Sequence, residues 1–123
     1  MGLIANTGIA AAVASFALAS GILRDDDVTV RVTTPNATSV AFAVSDAKGP
    51  VWRSVMPCSS VNVMTIQDIN ETIRDDATQA FARRENGKRA ENFNRMVSLV
   101  APAYVHQAVK ICEYRQQRHY AFN

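Results

Sequence analysis

"VTVRVTTPNATSVAFAVSDAKGPVWRSVMP", running from Val28 to Pro57, carries the pattern that sets the fold. In "VTVRVTT" the valines 28, 30 and 32 alternate with polar residues, which puts them on one face as a half-buried strand requires. "PNATS" follows as a turn, with Pro35 restricting φ and Asn36 able to hydrogen-bond its own backbone. "VAFAVSD" repeats the alternation with Val40, Phe42 and Val44, "KG" makes a second turn, and "VWRSV" makes a third strand. The stretch predicts a three-stranded antiparallel meander over about 28–56.

Downstream of Pro57 the period changes from two to about 3.6. Thr65 stands three residues before Asp68, a loose capping box, and Ile66, Ile69, Ile73, Ala80 and Phe81 make an apolar stripe, so a helix is predicted over about 66–84. "ENGK" (Glu85 to Lys88) breaks it. A second helix follows over about 89–100 on Phe93, Met96, Val97 and Val100. Pro102 suits the first turn of a third, over about 102–117, with Val105, Ala108, Val109 and Cys112 on its apolar face. The expected class is α+β for residues 25–123. The tail "EYRQQRHYAFN" carries Tyr114, Tyr120 and Phe122, costly to leave in water, and is expected to be clamped by a partner.

Upstream of the strands, residues 1–24 form a separate unit. Leu3 to Leu23 is a run of twenty-one residues without a charge, closed by Arg24 and the aspartates 25, 26 and 27. Projected at about 100° per residue it is apolar on all sides, which fits a membrane or the interior of an assembly and not a surface-lying amphipathic anchor. As a helix it rises about 31 Å, close to the hydrocarbon thickness. Only eight of its residues are strongly apolar, however, and Asn6, Thr7, Ser15 and Ser20 are polar. The small residues Gly8, Ala12, Ser15, Ala17 and Gly21 allow a neighbouring helix to approach closely, so the segment is expected to pack against other helices as a single membrane span. A secretory signal cleaved after Ala19 in "ALAS" is the main rival, weakened by the absence of Lys or Arg before the run. The "MG" start lacks Ser or Thr at the sixth position for N-myristoylation, and no transit-peptide arginines precede residue 24. The flanking charges slightly favour placing the bulk of the chain on the side opposite the cytoplasm.

Net charge is only +2, but its distribution is uneven. Arg24 to Ala82 holds five basic and eight acidic residues, whereas Arg83 to Asn123 holds eight basic and three acidic. The densest basic cluster is "RRENGKR", where Arg83, Arg84, Lys88 and Arg89 sit on a predicted interhelical turn and are candidates for contact with anionic lipid or an acidic subunit. No aromatic residues interleave with them, so nucleic-acid binding is not expected.

Little else in the chain carries chemistry. Cys58 and Cys112 are consistent either with one long-range bridge or with two buried thiols, and cannot build a zinc site alone. His106 and His119 lack ligands at helical spacing. The run Asp25 to Asp27 leads directly into a strand and does not converge on a cation. Sequons at Asn36 and Asn70 would matter only in a secretory lumen. Phosphate loops, dinucleotide fingerprints and nucleophile elbows are absent, so no catalytic, metal or cofactor-binding residue is assigned and no enzyme is expected.

The expectation is therefore a non-catalytic, single-pass accessory or structural subunit of a larger membrane complex. In layout alone it is similar to the small accessory subunits of respiratory or photosynthetic complexes, which implies an organelle-type inner membrane and subunit partners. Two rivals stand beside it: a soluble protomer of a capsid, filament or shell with the apolar helix buried between subunits, and a secreted or periplasmic binding domain released at Ala19.

Overall fold

The computed structural model describes residues 27–85 and 87–122, the last four by their backbone only. The predicted apolar helix over 3–23, with Gly8, Ala12, Ser15, Ala17 and Gly21, lies outside the described residues, as do Asp25 and Asp26. No helix among the described residues is long and apolar enough to cross a membrane.

The fold is α+β. Three strands, β1 (Thr29–Asn36), β2 (Ser39–Asp46) and β3 (Gly49–Pro57), pair antiparallel in sequence order. Each hairpin closes with the same device: a side-chain oxygen at the end of one strand accepts from the backbone N–H two residues on. Asn36 Oδ1 receives the Thr38 N–H at 2.9 Å, and Asp46 Oδ1 the Lys48 N–H at 2.9 Å. Gly49, at φ 127°, completes the second turn in a region that side chains disfavour.

A four-residue helix, α1 (Cys58–Val61), follows β3 directly, and α2 (Ile66–Ala82) and α3 (Gly87–Phe122) complete the chain. Thr65 caps α2, accepting the Asp68 N–H at 3.0 Å. Gly87, at φ 57°, provides the break between α2 and α3.

Predicted as two helices, residues 89–100 and 102–117 are instead parts of the single helix α3, which passes through Pro102. Proline removes one amide and its ring crowds the carbonyl of residue i−4, here Ser98. Ser98, Leu99, Pro102 and Ala103 are all exposed, so the interruption falls on the solvent face, where the orphaned carbonyl meets water. Ser98 Oγ also donates to the Asn94 carbonyl at 2.9 Å, a local bond that bends a helix in the same region. The other face, with Val97, Ala101, Tyr104 and Val105, stays continuous and buried, and that burial carries the helix across the proline.

Both long helices cover the same face of the sheet, α2 against β3 and α3 against β1 and β2. Cross-strand partners share a face, so the register assigns Val30, Val44 and Trp52 to one row and Val32, Phe42 and Ser54 to the next. These rows meet Ile69, Ile73, Ala77 and Phe81 of α2 and Phe93, Val97, Val105 and Ala108 of α3 in one core. Ile66, placed on the predicted stripe, is 44% exposed because it precedes the turn at which α2 reaches the sheet. Tyr114 is 58% exposed, with the Arg118 guanidinium 5.7 Å above its ring.

Tyr104 is the largest fully buried side chain, and burial pushes its phenol pKa up against the opposing field of Arg31. The fold thus favours the neutral phenol: this contribution is intact below the ordinary tyrosine pKa of about 10 and is lost as pH rises through the elevated value. In an alkaline titration of phenolate absorbance, Tyr104→Phe is expected to remove a step lying above the ordinary tyrosine pKa. A titration left unchanged above that value would refute the assignment.

Candidate functional site

The meander has two ends, and different chemistry holds each one. At the end of the β1–β2 hairpin, Cys58 and Cys112 form a disulfide with Cα atoms 5.3 Å apart, tying the start of α1 to α3 across 54 residues. The Cys58 N–H donates to the Thr38 carbonyl at 2.8 Å. One turn further along α3, Arg115 Nη1 donates to the Ser39 carbonyl at 2.8 Å. The hairpin tip, α1 and α3 are thereby fixed to one another.

At the other end, the β2–β3 hairpin meets the α2–α3 turn. Here lies the basic cluster singled out in the sequence, and the structure divides it. Arg84 Nη2 donates to Asp46 Oδ2 at 2.8 Å, and that carboxylate is fully buried on the side-chain scale. The Arg84 guanidinium also lies 5.6 Å from the Phe81 ring centroid. Glu85 accepts from Lys48 Nζ at 3.0 Å and from Arg89 Nε at 3.1 Å. The Lys48 hydrogen bond is the main reason the Glu85 carboxyl lies below its ordinary pKa. Arg84 and Arg89 are therefore engaged in an internal network that fastens hairpin to helices, whereas Arg83 and Lys88 are exposed. Thr29 pairs with Ser45, so β1 begins at this same end.

Among the described residues, no helix or strand packs on the face of the sheet turned away from the helices. Register places Arg31 of β1 and Arg53 of β3 on either side of Ala43 of β2. The small alanine leaves a shallow trough of about 510 Å³ between them, with Thr29, Ser45 and Pro50 toward one end. Neither arginine is ion-paired among the described residues. Sequence reading passed over both. Their signal was present all the same, as an arginine at an outward position of each outer strand once the two hairpins are put in register.

A second depression of about 380 Å³ lies between α2 and α3, lined by Ile66, Gln67, Asn70, Glu71, Arg74, Ser98 and Ala101. It contains no nucleophile beside a base and no opposed pair of acid and base. Among the described residues no group of three His, Cys, Asp or Glu can hold a metal ion. His106 is exposed on α3. Asn36 lies exposed on its hairpin, with its Oδ1 also accepting from the Thr38 hydroxyl at 3.1 Å; Asn70 is half-buried within α2.

No protein-family model, curated protein or solved structure matches the chain.

Proposed function

We propose that this chain is a non-catalytic accessory or structural subunit of a larger membrane-protein assembly, anchored by residues 3–23 and docking through the α+β domain. The observation that carries the reading is how the domain's polar groups are used. The charged side chains of Asp46, Arg84, Glu85 and Arg115 each fasten one element to another. The two depressions are shallow and lack a convergent reactive set. A domain built in this way offers surfaces and a rigid frame.

The Cys58–Cys112 disulfide supports placing the domain on an oxidising side of the membrane, because such bonds persist in extracytoplasmic compartments and are rare in reducing ones. That agrees with the orientation suggested by the charges flanking residues 3–23. The same disulfide also favours, as a second reading, a secreted or periplasmic domain released after Ala19.

Extraction of the full-length chain from its native membranes separates these readings. Retention through carbonate and high salt, with release by detergent, is the expected result. Release without detergent would refute the membrane reading, and an intact mass lacking the first nineteen residues would establish the cleaved form.

A further inference from the structure

The open face of the sheet has a counterpart elsewhere on the same molecule. On α2, Asp68, Glu71 and Asp75 are three and seven residues apart, so at about 100° per residue they form one stripe. The buried residues of α2, Ile69, Ile73, Ala77 and Phe81, occupy the opposite side of the helix, and the acidic stripe therefore points away from the core. Asp68 and Asp75 are both exposed. Asp75 accepts from Arg74 through Oδ1 alone, at 2.8 Å.

Spacing agrees as well as sign. Strands lie about 4.8 Å apart, so Arg31 and Arg53, separated by one strand, stand about 10 Å from each other. Two carboxylates seven residues apart on a helix are separated by about 10.5 Å. A helix laid across the strands over Ala43 thus sets Asp68 against one arginine and Asp75 against the other.

We propose that the Arg31–Arg53 trough receives the Asp68–Asp75 stripe of α2 from a second copy of this chain. Both long helices cover a single face of the sheet, so the basic trough and the acidic stripe of one molecule face in opposite directions and cannot meet each other. The contact is heterologous and leaves a free trough at one end and a free stripe at the other, which extends copies into rows and does not close a dimer. It does not depend on residues 3–23 entering a membrane. Exposed ion pairs are individually weak and are screened over about 8 Å at physiological ionic strength, so the association is low in affinity and steeply salt-dependent.

Sedimentation velocity on the full chain in non-ionic detergent tests this. Wild type is expected to self-associate at low salt and to dissociate as salt rises. Arg31→Glu with Arg53→Glu, and separately Asp68→Lys with Asp75→Lys, are each expected to weaken self-association by about tenfold or more. An equimolar mixture of the two variants restores it, because each then finds an oppositely charged partner face. The milder pairs Arg31→Gln with Arg53→Gln and Asp68→Asn with Asp75→Asn, checked by circular dichroism, give an intermediate loss and guard against misfolding. A monomeric wild type at low salt overturns the proposal, as does a mixture that fails to associate. Association indifferent to salt and to both reversals assigns the contact to residues 3–23 and overturns it equally.

Discussion

Replacing Cys58 and Cys112 together by alanine is expected to lower the unfolding free energy by about 4 kcal/mol. The bridge closes a loop of 54 residues, and the loop-closure entropy it removes from the unfolded chain has that magnitude on the chain-entropy account. The loop contains α1, all of α2 and most of α3, so without the bridge nearly every helix–sheet contact must be formed against the freedom of an unconstrained chain. For a domain of this size the loss corresponds to a fall in melting temperature of roughly 15 °C or more. Both sulfurs are buried, and the alanine pair also leaves a small void. Wild type unfolded in denaturant with and without reductant separates the two effects: reduction alone should give most of the loss. A reduced protein within about 1 kcal/mol of the oxidised one would show that the bridge adds little to the fold. If the domain resides in a reducing compartment, the reduced form is the one that must stand, and the measured gap tells whether it can.

The bridge also marks where sequence reading stops. Across a sequence separation of 54, nothing in the chain signals that Cys58 and Cys112 meet. Their meeting follows from α3 running back along the whole sheet, and that in turn follows from α3 not breaking at Pro102. Proline was read as the start of a helix because its local effect is the only one visible in one dimension. Whether a missing hydrogen bond falls on the wet or the dry side of a helix is a tertiary fact. The strands were legible because alternation is itself a record of burial on one face, and Val30, Val32, Phe42 and Val44 lie in the core as that record requires. Alternation under-reads a central strand, however: Ala41 stands out of phase with Val40 and Phe42, between its cross-strand neighbours Thr33 and Val55, and is still only 1% exposed.

The same limit applies to the charges. Density along the chain drew attention to Arg83, Arg84, Lys88 and Arg89, yet two of the four are engaged with Asp46 and Glu85. Arg31 and Arg53, isolated in the sequence, become neighbours across Ala43 only when strand register is known. Charge clusters in a sequence report local density; charge available to a partner is what remains after the fold has made its own pairs.

Phe93→Ala is expected to destabilise the domain by about 3–5 kcal/mol, the usual cost of removing a fully buried phenylalanine ring. Its ring stacks on Phe81 with centroids 4.2 Å apart and planes inclined by 5°. Phe81 ends the buried stripe of α2 and Phe93 begins that of α3, so this one contact sets how the two helices diverge from the turn between them. Arg84 covers the Phe81 ring from the same end and is held there by Asp46, so the stack also anchors the ion pair that ties the β2–β3 hairpin down. Phe93→Leu retains most of the apolar volume and should cost appreciably less. In a double-mutant cycle, Phe81→Leu and Phe93→Leu should couple by about 0.5–1.5 kcal/mol, the part of the stack that exceeds area burial. Removing Phe93 should also weaken the hold on Arg84, so hydrogen exchange at Lys48 and Gly49 is expected to quicken in Phe93→Ala more than at the disulfide end of the sheet. Uniform quickening at both ends would mean that the two poles of the domain unfold as one unit, and the local role assigned to the stack would fall.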